Sequence, residues 1–362
     1  MLAEFIVIVV ILATVGFAYL KGTTIKSFLL LINGFISSTI ALAFFETVGR
    51  MILGHGYGGQ WVFGGSFILI FIIVFLLLNI LTDKLAPENV YFGDSPDKAI
   101  RSFIAIFAGF VIAGVILITI ALMPVGTKWP YERFNPQNKN LRPDEPDKKL
   151  ILNADGFVVS AASWFSRSSM SGKNSLAVFH PDFLNEIYLN RIGQDESNIA
   201  IAGAQAVQVK DAWIAPAELL SAPDNQPLSP GPGKKVVIVR AGLSSRKIED
   251  GGMMTEYSST AFTMVHVRLL CKNSDSADNL TGSGEIVYPV GFISNGNIAE
   301  LKNITDEIKL SGSDFSSADG IKWFDFVFYV PADTAPVMLQ FKLNAVAQIG
   351  KLVSGDKIPA SL

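Results

Sequence analysis

The sequence predicts a membrane α-helical bundle of four transmembrane helices, followed by an all-β, immunoglobulin-like antiparallel sandwich. Half of the 362 residues are hydrophobic and only 17% are charged, less charge than a soluble protein of this length normally carries. The excess of apolar residues lies before Val125. From about Ala204 onwards, β-branched and aromatic runs alternate with clusters of Gly, Pro, Asn, Asp and Ser, the pattern of strands joined by turns.

These shifts in composition divide the chain into five parts. The predicted parts are a transmembrane bundle (1–125), a linker rich in proline and charge (126–150), short amphipathic helices (151–203), the sandwich (204–350) and a C-terminal tail (351–362). Prolines disfavour helix, so the linker is predicted to be an extended spacer.

Four apolar stretches are long enough to cross the hydrocarbon core of a bilayer, which needs about 20 helical residues. They run from Leu2 to Leu20, from Ile25 to Val48, from Trp61 to Leu81, and from Ala99 to Val125. The chain starts with MLAE, without Lys or Arg, so an uncleaved first helix is expected rather than a signal peptide.

The basic residues of the short loops predict an orientation, because Lys and Arg concentrate in cytoplasmic loops. The second loop has only Arg50, whereas the first and third loops together have five basic residues: Lys21, Lys26, Lys84, Lys98 and Arg101. This count places the first and third loops in the cytoplasm. Both termini and the whole polar part are then expected outside it.

The fourth span has small residues at every fourth position, which lets helices approach closely. These are Ala105, Gly109 and Ala113, and the pattern favours helix packing over a substrate path. Polar residues in the spans are few. Glu46 and Asn79 lie near span ends, where snorkelling or capping is the expected role.

Short motifs flank two of the spans. The segment YLKGTTIKSFLLLIN, after the first span, has a basic-Gly turn and then a second basic residue: Lys21, Gly22 and Lys26. The segment DKAIRSFIAIFAGFVIAGVIL opens with an acidic-basic pair and continues through spaced glycines: Asp97, Lys98 and Gly109.

Over about the first 125 residues, these motifs resemble the colicin V production protein (CvpA) family of small four-span bacterial inner-membrane proteins. The chain departs from the family pattern at Arg101, where a glycine is usual, and at Ala108, where an arginine is usual. The resemblance implies an envelope function in the bacterial inner membrane, without an accepted enzymatic activity.

Two amphipathic helices are predicted before the sandwich, in LILNADGFVVSAASWFSRSSM and PDFLNEIYLNRI. The first would present Phe157, Ala161, Trp164 and Phe165 on one face, either to the membrane surface or to the later domain.

Six apolar runs, with turn clusters and no helices between them, predict about seven antiparallel strands. The runs are QAVQVKDAWIA, KKVVIVRAGL, AFTMVHVRLLCK, GEIVYPVGFI, IKWFDFVFYV and VMLQFKLNAV. His266, in the third run, is expected to be a rim or satisfied core histidine, and Cys271 a small buried hydrophobe.

The sequence predicts no catalytic, cofactor-binding or metal-binding residue. Cys271 is the single cysteine, and His55, His180 and His266 have no metal-ligand spacing. Phosphate-loop, G-x-S-x-G and H-E-x-x-H motifs are missing. A net charge of −3 without a basic run disfavours nucleic acid as a partner.

We therefore expect a non-enzymatic membrane protein that displays a β-domain for binding another protein or an envelope component. The expected partners are the lipid bilayer and either a protein partner or further copies of the chain. The alternative is an oligomeric channel or transporter component gated by the β-domain. Its subunits would associate through the face of Ala105, Gly109 and Ala113.

Overall fold

A computed structural model describes most of the chain. The described residues are 2–85, 93–167, 175–193, 198–216, 219–222, 224–254, 259–276, 282–296 and 298–353. Residues 168–170, with which the first predicted amphipathic helix ended, and residues 354–362 of the predicted tail lie outside this set.

Four long apolar helices form the first third of the chain. They are α1 (Leu2–Lys21), α2 (Thr24–Leu53), α3 (Val62–Leu85) and α4 (Asp94–Ala121). Each is long and apolar enough to span a membrane, as the sequence predicts. α2 continues beyond the predicted end of its span at Val48, and α4 begins before the predicted start at Ala99.

Contacts at the helix ends show that consecutive helices run in opposite directions, so that α2 and α4 are parallel. At one end, the Thr24 hydroxyl donates a hydrogen bond of 2.7 Å to the Asp97 carboxylate, joining the starts of α2 and α4. At the other end, the Phe45 ring of α2 lies 6.4 Å from the Phe63 ring of α3. The end of α2 and the start of α3 therefore lie at the end of the bundle from which α4 leads to the polar part.

The small-residue face of α4 is used within the chain. A Cβ added to Gly109 would lie 2.8 Å from Ile11 Cα and 3.2 Å from Thr14 Cβ, both in α1. Ala105 and Ala113 are also buried. The close packing predicted from the sequence thus joins α4 to α1. At Gly109, the contact partner of this face is α1 of the same chain.

Three shorter helices follow the bundle: α5 (Ala154–Arg167), α6 (Leu176–Phe179) and α7 (Phe183–Leu189). α5 and α7 lie within the two predicted amphipathic segments. Residues 126–150 contain neither helix nor strand, yet Tyr131, Phe134 and Leu141 are buried in the same apolar core as the bundle. This segment is therefore packed against the protein instead of forming the predicted extended spacer.

The remaining described residues form strands in three sheets. The strands are β1 (Val207–Ile214), β2 (Leu220–Ala222), β3 (Gln226–Pro227), β4 (Lys234–Ser244), β5 (Ser259–Thr263), β6 (Val267–Asn273), β7 (Glu285–Val287), β8 (Pro289–Asn295), β9 (Ile298–Leu301), β10 (Glu307–Ser311), β11 (Ile321–Pro331), β12 (Thr334–Phe341) and β13 (Ala345–Gln348). The largest sheet has the order β1-β4-β11-β8-β9-β2-β3, a second has the order β13-β12-β6-β7, and β5 pairs with β10.

One apolar core lies between the two larger sheets. Val239 of β4 and Leu269 of β6 belong to it, and the Phe262 ring lies 6.5 Å from Phe326 of β11 and 5.5 Å from Phe341 of β12. The β-region is therefore a sandwich. Its immunoglobulin-like type is not confirmed, because the largest sheet is mixed, with β2 parallel to β9.

The third predicted run, AFTMVHVRLLCK, is not one continuous strand. Met264–His266 form a 3-10 turn, and β6 begins only at Val267. From Val267 to Lys272 every residue is buried, on both faces of the strand. β6 therefore has no solvent-facing side over these residues, because it is an inner strand covered on both faces.

The packing of α1 on α4 gives a stability prediction. Gly109→Ala should lower the free energy of unfolding by about 1–3 kcal/mol, because the new Cβ has no room beside Ile11. Thermal unfolding in mild detergent measures the change. Gly16→Ala is the matched control in α1, since nothing lies within 4 Å of its added Cβ. Equal effects of the two substitutions would contradict the close contact.

Candidate functional site

A buried cluster of ionisable side chains joins the bundle to the β-region. His180, which follows α6, places Nε2 2.9 Å from a Glu46 carboxylate oxygen in α2. Its Nδ1 lies 2.8 Å from the Glu186 carboxylate in α7. Arg268 of β6 contacts the same carboxylate at 2.5 Å. The residue after α6, helix α7 and strand β6 are thus linked to α2. The link consists of two carboxylates, one imidazole and one guanidinium.

This junction cluster, Glu46, His180, Glu186 and Arg268, is shielded from solvent. The side chains of Glu46 and His180 are 14% and 8% exposed, and those of Glu186 and Arg268 are 3% and 2% exposed. Burial lowers the pKa of Arg268 to about 10, so its guanidinium stays charged at neutral pH. Charges buried this deeply need their partners, because removing one leaves another uncompensated.

The sequence alone did not reveal this cluster. Glu46 had an expected snorkelling or capping role, and it contacts the polar part of the chain instead. Asn79 likewise accepts a hydrogen bond of 3.2 Å from Asn33, which ties α3 to α2. An acid within an apolar span was the available signal for Glu46. For Arg268 no local signal existed, because its partners come from helices far away in the sequence.

Further polar contacts hold the segment after α4 in place. Arg191 donates hydrogen bonds to the carbonyl oxygens of Gly126, at 2.9 Å, and Trp129, at 2.5 Å. Burial lowers the pKa of Arg191 to about 10. The Tyr131 hydroxyl donates a hydrogen bond of 2.7 Å to buried Asp155 of α5. These bonds position the segment against α5 and the end of α7.

His266 is a satisfied core histidine, one of its two expected roles. Its Nδ1 accepts a hydrogen bond of 3.0 Å from the backbone N–H of Thr263. Its Nε2 therefore carries the proton and lies 3.1 Å from the carbonyl oxygen of Asn190. Burial, with a smaller effect of the Lys342 charge, lowers the pKa of His266 to about 3. The imidazole is neutral and structural.

A cleft of about 690 Å³ lies beside the junction cluster. Its walls come from the segment before α5, the entrance to α7 and the strands β4, β7, β8 and β11. Two tyrosines, four prolines and five charged residues contribute to the lining: Tyr288, Tyr329, Pro143, Pro181, Pro289, Pro331, Asp144, Asp182, Glu285, Lys234 and Lys302. Its volume lies in the range of typical ligand pockets, about 300–1,000 Å³.

The base of this cleft adjoins the junction cluster. Tyr288 follows Val287, which pairs with Leu269, the residue after Arg268. Burial raises the pKa of Tyr288 to about 12, so its hydroxyl is protonated and available for hydrogen bonds. Burial also raises the pKa of Asp182. The cleft therefore offers phenol hydroxyls, charges of both signs and rigid proline rings, a surface suited to binding.

The residues of the two membrane motifs meet at the other end of the bundle. Arg101 donates hydrogen bonds to the carbonyl oxygens of Gly22 and of Tyr19, the latter at 2.8 Å, and lies 3.5 Å from Asp97. Lys98 lies over the Tyr19 ring, 5.5 Å from its centroid. Arg101, a departure from the CvpA pattern, thus joins the two motifs.

Lys21 and Lys26 of the first motif are exposed at this end, and Lys26 pairs with Asp83 at 3.3 Å. None of the motif residues lines the cleft or belongs to the junction cluster.

Within the described ranges, no group of three His, Cys, Asp or Glu side chains is arranged to hold a metal ion. Cys271 is a small buried hydrophobe, as expected, and burial raises the pKa of its thiol to about 12.

Comparisons with protein-family models, with curated proteins and with solved structures found no match to this chain.

The junction cluster predicts a large loss of stability when one partner is removed. Glu186→Ala leaves Arg268 buried without its closest carboxylate, so unfolding free energy should fall by about 3–5 kcal/mol. Thermal unfolding in mild detergent provides the measurement. Glu145→Ala, which removes an exposed pair with Arg142, should cost under about 1 kcal/mol. Similar losses for both variants would argue against a stabilising cluster.

The lowered pKa of His266 predicts acid sensitivity. Between about pH 3 and 6.5 the unfolded chain binds a proton at His266 that the folded chain does not, so stability falls as the pH decreases. From pH 7 to pH 5 this contributes a loss of about 2 kcal/mol. His266→Gln can replace both hydrogen bonds without titrating, and should therefore flatten the pH profile of denaturant unfolding. An unchanged profile would refute the assignment.

Proposed function

We propose that this chain is a non-enzymatic, membrane-anchored binding protein of a bacterial inner membrane. In this proposal the four-helix bundle is a CvpA-like anchor, and the sandwich binds another protein or an envelope component. The observation that carries it is the cleft around Tyr288 and Tyr329, which combines the volume of a ligand pocket with hydroxyls and charges of both signs. The missing catalytic motifs in the sequence favour binding over catalysis.

The contacts between the bundle and the sandwich support an anchoring role for the bundle. The contacts of Glu46 with His180, and of Glu186 with both His180 and Arg268, hold the sandwich at one end of the spans. Because Tyr288 follows the strand that pairs beside Arg268, the cleft lies close to that end. A partner bound there would be held near the membrane surface.

The same proposal places the cleft outside the cytoplasm. Lys21, Lys26, Lys98 and Arg101 lie at the end of the bundle opposite the sandwich, and basic residues favour the cytoplasmic side. An immunoglobulin-like relationship of the sandwich is also part of the proposal, supported by its shared two-sheet core. Domains of that architecture commonly act in recognition, although fold alone does not define function.

Site-specific photocross-linking tests the cleft. The substitution Tyr329→p-benzoylphenylalanine, made in the full chain in source-cell membranes, should give an adduct of discrete mass under ultraviolet light. Adding Lys234→Glu, which reverses a charge at the cleft, should reduce the yield roughly fivefold, the equivalent of about 1 kcal/mol.

The matched control is Lys309→p-benzoylphenylalanine, at an exposed position on β10 outside the cleft lining. No discrete adduct should form there. Failure to detect an adduct at Tyr329, or equal adducts at both sites regardless of Lys234, would contradict binding in the cleft.

A further inference from the structure

α5 has one face against the bundle and one face turned outward. Ala154, Val158 and Ala162 are buried. On the outward face, Phe157 and Trp164 are 37% and 64% exposed. Ser160 between them is also exposed. Phe157 and Trp164 of the aromatic face predicted from the sequence are therefore not buried in the sandwich.

The outward face is continuous with the surface of the transmembrane helices. The Phe157 ring lies 5.6 Å from Phe35 of α2 and 5.4 Å from Phe110 of α4, in edge-to-face contacts. Phe35 and Phe110 are themselves partly exposed. Two candidate spans and α5 thus share one apolar outer surface.

If α4 spans the bilayer from one headgroup layer to the other, α5 crosses it near the bilayer interface. With 28 residues α4 is about 42 Å long, close to the 40–45 Å of a bilayer with its headgroups. α5 crosses α4 at Gly114, where an added Cβ would lie 2.7 Å from Val158. Gly114 is seven residues from the end of α4 at Ala121, a distance of about 10 Å. That is the depth at which interfacial amphipathic helices lie.

The distribution of charged residues on α5 is also compatible with contact between its outward face and lipid. Its one acidic residue, Asp155, is buried and bonded to Tyr131, so the outward face has no carboxylate. Arg167 is exposed at the end of the helix, where its long side chain can reach headgroups. Tryptophan is enriched at membrane–water interfaces, which agrees with the exposed position of Trp164.

We propose that α5 is an interfacial membrane helix, whose Phe157–Trp164 face contacts lipid in the leaflet on the side of the sandwich. The observation that selects lipid over a protein partner is the continuity of Phe157 with the outer rings of α2 and α4. α5 is then a second membrane attachment, and it places the base of the sandwich at the bilayer surface. This inference does not depend on what the cleft binds.

Nitroxide accessibility in the full chain, reconstituted in phosphatidylcholine–phosphatidylglycerol vesicles, tests the proposal. Trp164→Cys and Ser160→Cys are each spin-labelled, and collisions with oxygen and with a water-soluble nickel chelate are compared. Leu77→Cys, on an exposed position of α3, is the lipid reference, and Asp224→Cys, in the exposed turn before β3, is the aqueous reference. The unsubstituted chain, with buried Cys271, controls for background labelling.

We expect the oxygen-to-nickel ratio at positions 160 and 164 to lie near that of the lipid reference. A ratio near the aqueous reference would overturn the proposal. Protection from both reagents would also overturn it and indicate a protein partner. Dipolar broadening that disappears on dilution with unlabelled protein would instead assign the face to a second copy of the chain. Ser160→Cys retains the aromatic residues, so it remains informative if Trp164→Cys does not fold.

Discussion

The arrangement of this protein depends on keeping charges satisfied where the helical bundle meets the sandwich. The Glu186 carboxylate contacts both the His180 imidazole and the Arg268 guanidinium. The other ring nitrogen of His180 contacts Glu46 of α2. Each of these groups would be costly if buried alone, because the low-dielectric interior disfavours an uncompensated charge. Satisfying one therefore requires α2, α7 and β6 to meet in one orientation. Apolar packing alone would constrain that orientation less strongly.

Within the bundle, the close approach of helix backbones determines how the helices pack. Helices in lipid gain little from burying apolar surface against one another, so small residues that allow tight contact become important. Gly109 lets α4 approach Ile11 of α1, and Gly114 lets α5 cross the same helix beside Val158. α4 is thus the helix against which both the first span and the first helix of the polar part pack.

The two proposals concern different surfaces of the protein. The cleft at Tyr288 lies where the sandwich meets the junction cluster, and α5 presents its aromatic face beside the spans. If α5 rests in the bilayer interface, the sandwich is attached both through Glu46 and through lipid contacts. A binding surface held in this way has little freedom to reorient, which lowers the entropic cost of engaging a partner near the membrane.

The sequence by itself determined the four spans, the two amphipathic helices and the sandwich, because long apolar runs and short alternating ones have few alternative structures. It also predicted the small-residue face of α4 and the aromatic face of α5, leaving open what the second face contacts. Only the tertiary structure decided that Gly109 of the first face packs on α1. It also decided that β2 runs parallel to β9, which short strands cannot signal locally. The junction cluster and the cleft could be recognised only in the tertiary structure. Glu46, His180 and Arg268 belong to separate elements, and a sequence pattern does not show that these elements meet.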